Sequence, residues 1–270
     1  MKLAIVGAAG RMGTTIVRLA RAAGDIHIVG ACDAPGSPNV GRDIGEIAMA
    51  GTVGVAVSAD VASALLGADV CIDFSSPAVF PQVATEIARA KIAWVCGTTG
   101  LEAEAEKALD QASKTAPVLH AANMSAGIQV LAELVREAIT RLGMGFDVEI
   151  VETHHRKKAD APSGTAKRLA DAAKEARAHL REVHGREGIV GARKNDELAV
   201  LAVRGGDVIG DHTVHLLGEG ERLELTHRAT NRDLFAHGAI RAARFLRGKP
   251  AGRYTMKDVL AAPAPAPELN

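Results

Sequence analysis

Leu3-Ala4-Ile5-Val6-Gly7-Ala8-Ala9-Gly10-Arg11-Met12-Gly13 is the stretch that decides the fold. Four apolar residues in a row, without polar alternation, suit a strand buried on both faces. The glycines that follow have GxxGxxG spacing, and the residues after them carry helical periodicity. A tight turn between a buried strand and a helix lets backbone N–H groups approach a pyrophosphate, which then rests on the helix N-terminus. Bare glycine triplets also occur in ordinary turns. The strand before and the helix after make this one a dinucleotide-binding candidate.

The same alternation continues downstream. Short apolar runs at 26–31, 70–74, 92–95 and 118–119 read as buried strands, and helical patterns at 12–23, 79–90 and 101–113 lie between several of them. Repeated strand–helix–strand units imply a doubly wound parallel sheet of Rossmann type. After Asn123 the character changes. A long amphipathic helix at 128–142, a strand at 147–153 and a helix at 165–180 precede a glycine-rich charged stretch. Runs at 198–204, 208–217 and 222–228, separated by glycine turns, read as an antiparallel meander. The fold class is therefore α/β, with a second α+β domain built on a mixed or antiparallel sheet. A helix at 233–246 resembles those of the first half and is expected to return to it. The expected domains are 1–123, completed by 234–270, for dinucleotide binding, and 124–233 for substrate binding and oligomerisation. The tail from Ala261, Ala-Ala-Pro-Ala-Pro-Ala-Pro, is low-complexity and expected to be extended or disordered.

Composition narrows the function. The 270 residues carry 32 basic and 32 acidic side chains, so no global field favours nucleic acid or a membrane surface. No apolar stretch reaches the length of a membrane span, and the N-terminus lacks the pattern of a signal peptide. Cys32, Cys71 and Cys96 lie in apolar runs without CxxC spacing, as buried free thiols of a reducing cytosol would. Cys96 has a second reading, as the thioester-forming nucleophile of a semialdehyde dehydrogenase, which needs a lowered thiol pKa and a positioned base.

Asp33 follows the glycines by about twenty residues, where a carboxylate accepts hydrogen bonds from an adenosine ribose. It also fits a plain turn before Ala-Pro-Gly. Asp33 disfavours a 2′-phosphate and Ala34 supplies no cation for one, while Arg11 offsets part of that, so both NADH and NADPH remain open. Gly97-Thr98-Thr99-Gly100 and Ala121-Ala122-Asn123-Met124 follow the fourth and fifth strands, at the end of the sheet where open α/β folds bind ligands.

Against the neutral background stands Glu152-Thr-His-His-Arg-Lys-Lys-Ala-Asp-Ala-Pro-Ser-Gly-Thr165. Charged groups at that density rarely serve packing, because each would need desolvation and pairing. Strand parity sets Glu152 and His154 on one face and His155 on the other, so the two imidazoles cannot share a metal, and no metal site is expected. Lys158 lies within reach of a loop returning toward His154. Ser163-Gly164-Thr165 opens a helix whose first N–H groups form a nest for a carboxylate or phosphate. A nicotinamide site, an anion nest and a His/Lys pair suggest hydride transfer to an unsaturated anionic small molecule, with a histidine supplying the proton. A protein that only senses NAD(H) would have no use for that pair.

The motifs together resemble the dihydrodipicolinate reductase family. E-x-H-H-x-x-K-x-D-A-P-S-G-T is intact, as are G-x-x-G-R-M-G, G-T-T-G and N-x-S-x-G. Arg204-Gly-Gly-Asp-Val-Ile-Gly-Asp-His212 looks like the family's R-x-G-x-x-x-G-x-H turn, and a later block runs from His227 to Ala239. The resemblance implies that His154 is the proton donor with Lys158 as its partner, and that His155, Gly164 and Thr165 bind a small dicarboxylate substrate. It implies that Gly7, Ala8, Ala9, Gly10, Arg11, Met12, Asp33, Gly97, Thr98, Thr99, Ala121, Ala122, Asn123 and Met124 line NADH or NADPH. It further implies a homotetramer assembled through the second domain's sheet. Met124 stands where the family more often has phenylalanine.

Overall fold

The computed structural model describes residues 1–262; most of the Ala-Pro tail lies outside the described residues. Two compact units are present among the described residues, 1–124 with 233–262 and 125–232. Each boundary lies one residue inside the one read from the sequence. Met124 buries its side chain in the first unit's core, Ser125 caps the helix that opens the second, and Asp233 pairs with Arg18 at 3.2 Å in the first.

The first unit begins with β1 (Lys2–Val6), α1 (Arg11–Ala22), β2 (His27–Cys32), α2 (Ile44–Ile47), β3 (Val57–Ser58) and α3 (Val61–Leu65). It continues with β4 (Val70–Asp73), α4 (Phe80–Ala90), β5 (Ala93–Cys96), α5 (Ala103–Ser113) and β6 (Pro117–His120). The second unit holds α6 (Ala126–Leu142), β7 (Asp147–His154), α7 (Gly164–Ala176), β8 (Arg181–Val183), β9 (Glu197–Arg204), β10 (Gly210–Leu217) and β11 (Arg222–Ala229). The chain then returns to the first unit as α8 (Asp233–Leu246), β12 (Gly252–Tyr254) and α9 (Met256–Ala261).

The first sheet has the order β12-β6-β5-β4-β1-β2-β3 and every pairing in it is parallel. Alternate residues of its strands enter two separate cores. Leu3 and Ile5 pack with Ile16 of α1 and Ala239 of α8, while Ala4 and Val6 pack with Val61 of α3, Val83 of α4 and Leu109 of α5. That is why β1 is apolar at consecutive positions: each side chain has a helix to cover it, worth roughly 1.5–3 kcal/mol per fully buried Ile or Leu. Two glycines permit close approach of backbones. A Cβ at Gly30 would lie 1.8 Å from the Ala64 carbonyl oxygen, and one at Gly238 1.8 Å from that of Met124.

The second sheet has the order β11-β10-β7-β9-β8. The expected meander is corrected here. β10 and β11 form a hairpin, but β9 pairs with β7 in parallel and β10 pairs with β7 antiparallel, so β7 lies between them. The glycine turn at 205–209 crosses over the end of β7. Gly205 N–H donates to His154 O at 2.9 Å, and His155 N–H donates to Val208 O at 2.7 Å. Sequence adjacency of two strands suggested a hairpin; burial of β7 on both edges won instead. One face of this sheet packs on α6 and α7 through Val148, Ile150, Val200, Val214 and Leu169. α7 stops at Ala176, short of the expected 180, because Arg177 turns inward and donates to the carbonyls of Phe146 and Gly143. Among the described residues no helix is long and apolar enough to cross a membrane.

Candidate active site

In the first unit the glycine turn has three distinct jobs. Gly7 has φ +73, and a Cβ there would meet the Phe74 carbonyl oxygen at 2.6 Å. A Cβ at Gly13 would meet the Gly7 and Ala8 carbonyl oxygens at 2.3 Å. Gly10 is the N-cap of α1 and supplies no side-chain cap, and the first turn of the helix has no acidic residue. The first N–H groups of α1 are thus open to an anion. Ala8 is buried and Arg11 exposed, with Ala9 and Met12 between those extremes.

Asp33, at the end of β2, accepts from Ala34 N–H at 2.9 Å and from the Ser37 hydroxyl at 3.1 Å, which fixes its carboxylate. A cleft of about 210 Å³ is lined by Gly7, Gly10, Asp33, Ala34 and Ser75 among others. The Ser75 hydroxyl is buried there with no hydrogen-bond partner among the described residues. An uncapped helix start, an anchored carboxylate and an orphaned hydroxyl fit a dinucleotide.

Further along the same sheet edge a cleft of about 330 Å³ is lined by Thr98, Thr99, Gly100, His120 and Ala122. Gly97 leaves room for the Phe74 ring, 2.3 Å from where a Cβ would be. Thr98 is buried, while Thr99 and Ala122 are exposed; Ala121 and Asn123 are half-buried. His120 Nε2 lies 3.1 Å from the Thr98 carbonyl, so that nitrogen carries the proton and donates. Met124 turns into the core, so any contact it makes with a ligand is through its backbone.

Cys96 is unsuited to nucleophilic attack. Its thiol is buried and lies 3.8 Å from the Asp73 carboxylate. Burial first, then the Asp73 charge, raise its pKa, the reverse of what a nucleophile needs. Burial likewise pushes Cys32 up to about 11.

In the second unit, β7 alternates as parity requires, with Val148, Ile150, Glu152 and His154 all buried. Glu152 is wholly buried and ionically paired. Arg204, at the end of neighbouring β9, donates to both its oxygens at 2.8 Å. Ser163 N–H donates to Oε1 at 3.0 Å, and His154 Nδ1 lies 2.5 Å from Oε2. Burial alone would raise the Glu152 pKa; the Arg204 fork, His154 and the Ser163 amide outweigh it, so the carboxyl sits below its ordinary range.

Lys158 pairs with Asp160 at 2.8 Å and is half-buried. The Ala161–Pro162 peptide is cis. Ser163 caps α7, its hydroxyl accepting from Ala166 N–H at 3.1 Å. Gly164 is exposed with nothing within 4 Å of a would-be Cβ, so the start of α7 is open, and Thr165 follows it half-buried. His155 is half-buried, and its Nε2 lies 3.3 Å from Arg232. Arg156 and Lys157 are exposed.

Four further residues gather here that carry no role in the sequence reading: Glu152, Arg204, Gly210 and His212. His212 Nε2 lies 3.1 Å from the Ser163 hydroxyl, and its ring stands edge-on to His154 at 5.1 Å. A Cβ at Gly210 would lie 2.9 Å from His154 Nε2. The R-x-G-x-x-x-G-x-H pattern was the signal. Its physical content, two strand ends placed on either side of β7, depended on a pairing that the sequence did not reveal.

Comparison with known proteins places these motifs in a family. The model described as Dihydrodipicolinate reductase, N-terminus matches residues 1–124, and that described as Dihydrodipicolinate reductase, C-terminus matches residues 127–260. A 4-hydroxy-tetrahydrodipicolinate reductase from Anaeromyxobacter dehalogenans is 49% identical over 262 residues, covering 96% of this chain and 97% of its own. One from Myxococcus xanthus is 47% identical over 264 residues with the same coverages. The solved structure of dipicolinate-bound dihydrodipicolinate reductase from Paenisporosarcina sp. TG-14 is similar in fold, with a TM-score of 0.76 at 23% identity over 96% of this chain and 98% of that one.

Proposed function

The chain belongs to the dihydrodipicolinate reductase family, oxidoreductases that use NAD(P)H, and we propose in detail how its residues serve that reaction. The substrate is 4-hydroxy-tetrahydrodipicolinate, reduced to tetrahydrodipicolinate with loss of water, in the cytosolic route to diaminopimelate and lysine. One hydride and one proton enter, and one water leaves. The observation that carries this reading is the buried Glu152–His154 contact beside the open start of α7, a proton source next to an anion nest.

When bound, the dihydronicotinamide supplies the hydride. Residues 7–12, Asp33, 97–99 and 121–124 of the first unit would hold the cofactor, with the α1 N-terminus on the pyrophosphate. In the second unit, Gly164 and Thr165 N–H groups bind a substrate carboxylate, and His155 makes a second contact with the same molecule. A planar dicarboxylate such as the dipicolinate bound to the solved relative would compete for this position. Hydride addition to a C=C conjugated with an imine leaves carbanion character on the neighbouring atom. His154 protonates that atom through Nε2, and the Lys158 ammonium stabilises the developing charge. The second unit also assembles the homotetramer, through the sheet face opposite α6 and α7, where Val203 and Leu217 are exposed. Light scattering tests that assembly.

The activity is tested by condensing pyruvate with aspartate semialdehyde through the preceding synthase and following NADH and NADPH oxidation separately. Oxidation of at least one is expected. No oxidation of either by folded protein would overturn the reading.

A further inference from the structure

His154 has two ring nitrogens, and the protein treats them differently. Nδ1 is 2.5 Å from Oε2 of Glu152, a carboxylate that can only accept while ionised, so Nδ1 carries a proton. Nε2 makes no hydrogen bond to the described residues. The space beside it is kept clear by Gly210, where any side chain would come within 2.9 Å. Gly210 has no positive φ to require glycine, so clearance of Nε2 is its evident reason.

Glu152 is itself held from three sides, by both arms of Arg204 and by the Ser163 amide. Arg204 also reaches the Asp160 carbonyl at 2.7 Å, and the Asp160 carboxylate holds Lys158 at 2.8 Å and 2.9 Å. One guanidinium therefore links the anchor of His154 to the loop that carries Lys158. A planar fork does this; a lysine in its place would be a point charge with a single reach.

We propose that Glu152 and Arg204 are positioning residues: Glu152 fixes His154 as the Nδ1–H tautomer with Nε2 as the reacting nitrogen, and Arg204 ties Glu152 to the Lys158 loop. This rests on the proposed reductase reaction for its consequence but not for its geometry. Glu152 is wholly buried, and both arms of Arg204 are spent on protein oxygens. Each acts through the side chain it holds, and the carboxylate stabilises the imidazolium form that donates the proton.

Long-range proton–nitrogen correlation on ¹⁵N-histidine-labelled wild type, with His154 assigned from the His154→Gln variant, reads the tautomer directly. A protonated Nδ1 and a bare Nε2 in the neutral ring are expected; a protonated Nε2 with bare Nδ1 overturns the proposal. This needs neither turnover nor a Glu152 variant that folds. In the coupled assay, Glu152→Gln should lower kcat by about 10–100-fold, in the range of lost supporting contacts, with the nicotinamide KM unchanged. Arg204→Lys, which keeps the charge, should recover part of the kcat lost in Arg204→Gln. A lowered kcat in Glu152→Gln with the wild-type tautomer of His154 retained would mean a merely structural role and sink the proposal. Failure of wild type to turn over would sink the functional reading while leaving the tautomer result to stand or fall.

Discussion

Acid should weaken the second unit through His212, and by a calculable amount. The ring is 4% exposed, with Nε2 against the Ser163 hydroxyl and Nδ1 buried without a partner among the described residues. Burial, then the neighbouring His154, lower its pKa from 6.5 to about 4, with Glu152 opposing and His227 and Lys158 adding to the fall. The unfolded chain binds the proton below pH 6.5, whereas the folded chain resists it until about pH 4. Stability from this group is therefore complete above 6.5 and lost progressively as pH drops through that window. At 1.36 kcal/mol per unit the loss is about 3 kcal/mol, a sizeable part of a domain's margin. Denaturant titrations of wild type and His212→Gln between pH 7 and 4 test this. The variant starts from a different stability, having lost the Ser163 contact, but its decline over the window should be shallower by about that amount. His227, whose pKa burial also lowers, retains some slope in the same window. The depressed carboxyl of Glu152 begins to cost stability as pH falls below the ordinary carboxyl value of 4.5, at the acid end of the window and in both proteins alike, and continues to do so down to its own lower value. Parallel declines for the two proteins would refute the reasoning.

Other outcomes follow from the same geometry. Gly210→Ala should displace the His154 ring and lower kcat by about 100-fold, the scale of a 1 Å misplacement, while nicotinamide affinity measured by fluorescence stays unchanged. Cys96→Ala should retain turnover in the coupled assay, and the native thiol should resist alkylation until the protein unfolds. Asp33→Ala should weaken NADH more than NADPH in paired titrations, since it removes the proposed ribose acceptor, a carboxylate that would also repel a 2′-phosphate.

The Rossmann-type unit was largely legible because its signals are local. A strand covered on both faces must be apolar throughout, and Leu3–Val6 says so in four residues; the glycines then mark the turn. What escaped was made by short or polar segments. β3 is two residues long, and α2 is held by Asp43 accepting from the amides of Gly45, Glu46, Val53, Gly54 and Val55, a pattern without periodicity. In the second unit the four long strands were legible, the short β8 was not, and neither was their order, because a glycine turn looks the same whether it closes a hairpin or crosses a neighbouring strand. That one ambiguity hid the site's support. His154, Lys158 and the Ser163-Gly164-Thr165 turn stand together in sequence, whereas Arg204 and His212 reach Glu152 and Ser163 only because β9 and β10 flank β7.

The most direct test compares wild type with His154→Gln for turnover and for dipicolinate binding in the same preparation. Loss of about 10²–10⁴-fold in kcat, the usual contribution of a positioned proton donor, with dipicolinate still bound, is the expected result. Undiminished turnover by the variant would contradict the assignment of His154 as the proton donor.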